Sequence, residues 1–215
     1  MQNRTAYIDF DGTIVDVFPR YFKIIQEYMI NNFNLRLPYG IFVYRKRTGK
    51  KEHEIIRELC QRDIDIEDYV MFKRERLENK EYLKEDRIID NPQLAYEKLK
   101  KEGYHVKLLS QRRNAENLRW EIGYLNIKNC FDSITVVEPT SNNAKLEYLK
   151  NIVNKDDIII GDSPLDMECA EELNIKGYFV ESGLYNSDVF SCEIRKAADY
   201  NAVVSKYIVI KEKKF

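Results

Sequence analysis

From residue 92 onward the chain alternates short apolar runs with amphipathic stretches, and this alternation restricts the fold more than any other feature. His105-Val106-Lys107-Leu108-Leu109-Ser110, Ser133-Ile134-Thr135-Val136-Val137, Asp157-Ile158-Ile159-Ile160-Gly161 and Gly177-Tyr178-Phe179-Val180 have the length and residue types of strands. Between them lie helix signals: residues 92–102 stopping at Gly103, the set Leu118, Ile122 and Leu125, residues 146–153, and residues 165–173. Ile158-Ile159-Ile160 has no polar face, so a strand there needs cover on both sides. Together with a short opening strand, Thr5-Ala6-Tyr7-Ile8-Asp9, the alternation predicts an α/β fold. Its core is a Rossmann-like parallel sheet flanked by helices.

The stretch between the first strand and the rest is helical in texture. Phe18, Phe22, Ile25, Met29 and Phe33 recur at three- or four-residue steps, one face of an amphipathic helix. Ile55 with Leu59 and Ile56 with Cys60 mark a second helix, and residues 69–83 a third; Leu37-Pro38-Tyr39-Gly40 is a break. Residues 16–89 are therefore expected to form an inserted α-helical cap domain, and residues 1–15 and 90–215 the core. Hinges should fall near Val15-Asp16 and Asp90-Asn91-Pro92.

Lys plus Arg number 35 and Asp plus Glu 36, a formal net charge of −1. That balance gives no long-range attraction to nucleic acid or an anionic membrane, and argues against extensive nucleic-acid binding. No apolar run approaches the ~18 residues of a membrane span. The N-terminus enters a strand at once, without the regions of a signal peptide. Cys60, Cys130, Cys169 and Cys192 are far apart and read as reduced thiols, and two histidines cannot build a His-rich zinc site. The expectation is a cytoplasmic protein with no membrane partner, monomer or homodimer.

In an open parallel sheet, ligands gather beyond the carboxyl ends of the strands. The acidic residues of this chain fall there: Asp9-Phe10-Asp11-Gly12-Thr13 after one strand, Gly161-Asp162-Ser163-Pro164-Leu165-Asp166 after another. A single strand-end aspartate commonly caps a helix. Several converging on one point are costly unless a hard cation offsets them, and all-oxygen ligands suit Mg²⁺.

These motifs resemble those of the haloacid dehalogenase superfamily of phosphohydrolases, in the subclass with a helical cap inserted after the first motif. The resemblance runs over essentially the whole chain. It implies that Asp9 is a nucleophile forming an aspartyl-phosphate, and that Asp11 protonates the leaving alcohol and then activates water. Dehalogenating members lack this second acid, so Asp11 favours phosphoryl transfer. Ser110 corresponds to the hydroxyl that binds the transferring phosphoryl group, and Thr13 supports the first loop. Gln111 and Arg112 follow, and Arg112 could grip a phosphate or a carboxylate bidentately, or stand as a solvated helix-start arginine. The motif lysine that offsets the nucleophile's charge is assigned to Lys145, with Lys150 as the alternative, since no proline follows Lys145. Asp9, Asp11 (through its carbonyl), Asp162 and Asp166 would hold Mg²⁺.

The basic segment Tyr44-Arg45-Lys46-Arg47-Thr48-Gly49-Lys50-Lys51 is similar to the cap loop that leans over the site in this superfamily. Arg45, Arg47 and Lys50 could bind an anionic part of the substrate there; a solvated basic turn is the other reading. The implied activity is Mg²⁺-dependent hydrolysis of a small phosphorylated metabolite, as in phosphoglycolate phosphatases. The alternatives are a sugar phosphomutase resembling β-phosphoglucomutase, a nucleotide or nucleic-acid 3′-phosphatase, and a non-catalytic phosphate-binding regulator.

Overall fold

A computed structural model describes residues 4–209 of the chain. In chain order, β1 (Arg4–Ile8) and β2 (Val15–Asp16) lead into helices α1 (Phe18–Phe33), α2 (Tyr39–Arg47), α3 (Glu52–Cys60), α4 (Ile66–Leu77) and α5 (Lys80–Leu83). The chain returns through β3 (Arg87–Ile88) and then alternates: α6 (Pro92–Lys101), β4 (Tyr104–Gln111), α7 (Ala115–Tyr124), β5 (Ser133–Val137), α8 (Ala144–Leu149) and β6 (Ile158–Gly161). It continues with α9 (Pro164–Glu172), β7 (Lys176–Val180), β8 (Lys196–Ala197) and α10 (Tyr200–Val203).

Six strands pair in the order β5-β4-β1-β6-β7-β8, every pair parallel. Side chains that alternate along these strands fall into two separate cores, as the two-residue period requires. Ala6, Ile8, Val106, Leu108, Ile158 and Ile160 face a layer built from α6, α7 and α10, including Leu99, Leu118, Ile122 and Val203. Tyr7, Leu109 and Ile159 face the opposite layer, against Leu146 and Leu149 of α8 and Cys169 and Ala170 of α9. Because Ile8 pairs with both Leu108 and Ile160, β1 lies in the middle. Strand order reverses about it, and the loops after β1, β4 and β6 open a crevice at their carboxyl ends.

The helices between β2 and β3 enclose a cluster of their own. Phe18, Ile25, Tyr28 and Met29 of α1 pack on Phe42 of α2, Ile55 and Ile56 of α3 and Tyr69 of α4. Tyr21 and Leu184 touch both this cluster and the sheet core. The two chain crossings meet as an antiparallel pair, Val15 with Ile88 and Asp16 with Arg87.

Four local features differ from the sequence expectation. The basic segment, read as a loop, is helical through Arg47. Only Phe42 and Lys46 of α2 are buried, so it has no apolar stripe to betray it, and Pro38 stands just outside its first turn rather than breaking it. The expected helix over residues 69–83 is two, because Asn79 caps α5 by accepting from the Glu81 N–H. Helix α8 ends at Leu149, and the two-residue strand β8 is too short to leave a pattern.

Candidate active site

Asp9 continues β1 into the crevice, its N–H donating to the Ile160 carbonyl at 2.9 Å. Asp162 follows β6, and Asp166 sits in the first turn of α9. The three carboxyls are buried, with one oxygen of each within 4.8 Å of the others. Lys145 reaches this group from the start of α8, 2.7 Å from Asp9 Oδ1 and 2.7 Å from Asp166 Oδ1. Lys150 instead pairs with Glu147 on the surface. Between the two lysine candidates, the structure brings Lys145 to the acids.

Each acid is fixed locally. Ser163 Oγ donates to Asp166 Oδ2 at 2.6 Å, and that carboxylate also accepts from the Ser163 N–H, so the helix cap of α9 orients it. The Leu184 N–H donates to Asp162 Oδ2 at 2.8 Å. Gly12 (φ +76°) and Gly183 let two backbone segments close on Asp162; a Cβ on either would overlap its carboxylate. The electrostatics reflect a shortage of positive charge. Burial pushes Asp9 up to about 7 although Lys145 pulls against it, with Asp166 and Asp11 adding to the rise. Asp162 is raised well above the carboxylate range by burial and by Asp9 and Asp166. Burial would depress Lys145, but Asp166 and Asp9 more than reverse that. Three carboxyls served by one lysine need another cation to ionise together.

Asp11 has a different setting. Arg112 grips it bidentately, Nε to Oδ2 at 2.7 Å and Nη2 to Oδ1 at 2.6 Å, while Arg20 Nη2 donates to Oδ1 at 2.5 Å. Arg112 Nη1 also donates to Glu121 Oε2 at 3.0 Å, and Arg20 lies 3.2 Å from Asp86 Oδ2. Apart from Asp11, these side chains are no more than 3% exposed. Burial opposes the ionised form of Asp11, yet Arg112 and Arg20 hold it well below the usual carboxylate range. Burial raises Asp86 to about 9 despite Arg20, and raises Glu121 despite Arg112. With one proton on the Asp86–Glu121 pair, three carboxyls balance two guanidiniums. Arg112, expected to take substrate or to lie in solvent, is thus saturated by two side chains of the protein itself. Arg20, Asp86 and Glu121 belong to no motif of the sequence.

The remaining candidates divide. Ser110 is buried at the carboxyl end of β4, and its Oγ has no hydrogen-bond partner among the described residues. Thr13 is buried too, its hydroxyl likewise unpartnered, and lines a small cavity with Asp90 and Asn201. Gln111 lines a surface groove with Asn142 and Glu168. Arg45 and Lys50, expected to face the substrate, both pair with Glu58 of α3. The inward residue of that segment is Lys46, one position along. It is buried beside Glu52 at 3.6 Å, close enough to Asp162 to sense its charge, and burial lowers its pKa. Lys73 joins Glu52 at 2.8 Å, and Lys73 and Lys46 hold that carboxyl down at about 2 against its burial. Arg47 docks on the loop after β7, donating to Asn186 Oδ1 at 2.7 Å and to the Glu181 carbonyl at 2.5 Å. A helical period through residues 39–47 would have separated Phe42 and Lys46 from Arg45; the loop reading hid it.

A parallel sheet with four aspartates at the ends of its central strands defines a class of acid-centred α/β enzymes. Residues 7–180 match the model of the haloacid dehalogenase-like hydrolases, and the chain belongs to that family. A search of curated proteins finds no match. Among solved structures, a predicted phosphoglycolate phosphatase from Haemophilus somnus superposes with a TM-score of 0.67 at 16% identity, covering 95% of this chain and 98% of that one. Protein Tyrosine Kinase A from Mycobacterium tuberculosis gives 0.72 at 15% identity, with the same coverage. A candidate β-phosphoglucomutase from Thermotoga maritima gives 0.63 at 17% identity, covering 94% and 97%. At these identities the likeness establishes the fold. Among the described residues, no helix is long and apolar enough to cross a membrane.

Proposed function

We propose that the protein is a Mg²⁺-dependent phosphatase acting on a small phosphorylated metabolite through an aspartyl-phosphate on Asp9. The observation that carries this reading is the buried trio of Asp9, Asp162 and Asp166 on a single lysine, an all-oxygen set short of positive charge. Such a set fits Mg²⁺, which Asp9, Asp162 and Asp166 would hold together with the Asp11 carbonyl. When bound, the ion supplies charge neutralisation for the nucleophile and the phosphoryl oxygens.

The side chains then divide the chemistry. Asp9 attacks phosphorus with a carboxylate oxygen; the bond from phosphorus to the leaving oxygen breaks, its electron pair stays with that oxygen, and an alcohol leaving group takes its proton from water. Lys145 fixes the Asp9 carboxylate and offsets its charge. The free Ser110 hydroxyl is suited to donate to a phosphoryl oxygen. Water next attacks the phosphorus of the acyl phosphate, returning the electron pair to Asp9 and releasing inorganic phosphate. Asp11, held ionised by Arg112 and Arg20, is available to accept a proton from that water, at the reduced basicity that those arginines impose. The same ionisation weakens it as an acid, so leaving groups that depart without a proton should react fastest. Lys46, Lys73 and Glu52 lie on the helical side of the site, a net positive group suited to an anionic leaving portion. Helices α1 to α5 would act as the cap over it, and the free thiols fit a reducing cytoplasm.

The test is phosphate release from 4-nitrophenyl phosphate and a metabolite panel, with Mg²⁺, with chelator, and with Asp9→Asn. Mg²⁺-dependent release that disappears in the variant supports the reading. Release unchanged in Asp9→Asn removes the nucleophile assignment. Phosphate retained on the enzyme or moved within a sugar points to a mutase.

A further inference from the structure

Asp11 lies where four segments converge. Its loop follows β1; Arg112 comes from the loop after β4, itself anchored by Glu121 of α7; Arg20 comes from the first turn of α1; and Asp86 precedes β3. Arg20 Nη1 also donates to the Leu77 carbonyl at the end of α4, at 2.9 Å. One guanidinium therefore binds both ends of the helical segment's path to the Asp11 carboxylate, and a second binds that carboxylate to the sheet. Both guanidiniums are nearly solvent-free, where charge-assisted bonds are strongest and hardest to replace by water.

We propose that Arg20 and Arg112 are positioning residues for the second half of the reaction: they aim the Asp11 carboxylate at the attacking water only while α1 is seated on the sheet. The proposal rests on the phosphatase reading above. Arg112 alone spans both oxygens, which sets the plane of the carboxylate; Arg20 on Oδ1 then leaves Oδ2 as the oxygen with an open side. In the step itself, the water oxygen bonds to phosphorus as the bond from phosphorus to the Asp9 oxygen breaks, and the water proton passes to Asp11 Oδ2. A base turned by an ångström loses on the order of a hundredfold in such a transfer. Lysine keeps the charge of either arginine and loses the fork, so Arg112→Lys and Arg20→Lys separate geometry from charge.

The experiment is rapid-mixing release of nitrophenol from 4-nitrophenyl phosphate with Mg²⁺, in the wild type, both lysine variants, Asp11→Asn, and each lysine variant combined with Asp11→Asn. Near-ultraviolet circular dichroism selects the folded chains, and the two single variants back each other up. Expected is steady-state turnover about 30- to 100-fold lower in Arg112→Lys. A nitrophenol burst approaching one per chain should accompany it as the aspartyl-phosphate accumulates, with a smaller change of the same kind in Arg20→Lys. In the Asp11→Asn background neither lysine substitution should lower turnover further. A loss of turnover without a burst, or the same loss with and without Asp11, overturns the proposal and leaves the phosphatase reading standing. A wild type that releases nothing and forms no phosphoenzyme removes both.

Discussion

Two buried ionic clusters stand side by side at the carboxyl ends of the strands, and they are completed in opposite ways. Asp9, Asp162 and Asp166 share Lys145, and the protein supplies too little positive charge to satisfy them. Asp11, Asp86 and Glu121 share Arg20 and Arg112, and one retained proton balances them. The first cluster is electrostatically open, short of positive charge. The second is closed and serves to hold one carboxylate still. Acidity at a strand end therefore says little about function until the facing cations are counted, and a buried charge network can be scaffold at a distance of two residues from the nucleophile proposed at Asp9.

The sharpest way to break this comparison is to remove the centre of the open cluster. Asp9→Asn should lower phosphate release on the order of a thousandfold or more, with the fold intact by circular dichroism. A residual rate near wild type would place the chemistry elsewhere. Next in size is Gly183→Ala, whose new methyl meets the Asp162 carboxylate. It should destabilise the chain by about 1–3 kcal/mol and reduce the rise in melting temperature that Mg²⁺ produces. An unchanged Mg²⁺ response would show that Asp162 does not need its present place.

The closed cluster is tested by pH. Asp86 stays neutral in the folded chain up to about 9 against an ordinary 3.8, so the folded state holds an extra proton between these values. Its contribution to stability is complete below the ordinary pKa and is lost as pH rises toward 9. The melting temperature should fall by roughly 10 °C from pH 5 to 9, and fall less in Asp86→Asn. Equal slopes in both chains would mean the proton lies on another group. The smallest effects belong to Arg45→Ala and Lys50→Ala, which remove partly exposed pairs with Glu58; each should change stability by less than about 1 kcal/mol. Lys46→Ala should raise KM more than either.

The sheet was legible because its strands are short, apolar and regularly spaced, and because Ile158 to Ile160 admit no exposed face. The open cluster was legible for a related reason. Its carboxylates belong to loops that leave adjacent strands, so a sequence position just past a strand is also a spatial position. The closed cluster had no such signal. Arg20 lies on a helix whose visible pattern is apolar, Glu121 is one of two glutamates on α7, and Asp86 precedes a two-residue strand. Their meeting depends on how the helical segment seats on the sheet, which no local spacing encodes. The basic segment failed for another reason: with a single large apolar anchor, Phe42, helix α2 leaves a period too faint to separate Lys46 from its neighbours.

The long loop between β7 and β8, residues 181–195, carries one more consequence. The Leu184 N–H steadies Asp162, while Asn186 and Glu181 hold Arg47 of the helical segment. Asp9 and Asp162 are 8% and 3% exposed in this arrangement, and the Asp11 side chain beside them is 25% exposed. If phosphate leaves by lifting the helical segment, Arg47 has to let go first. The pace of the cycle would then be set by a latch rather than by bond cleavage, and turnover should slow as solvent viscosity rises. Arg47→Ala should weaken that dependence, and a wild-type rate indifferent to viscosity would show that the latch is not the slow step.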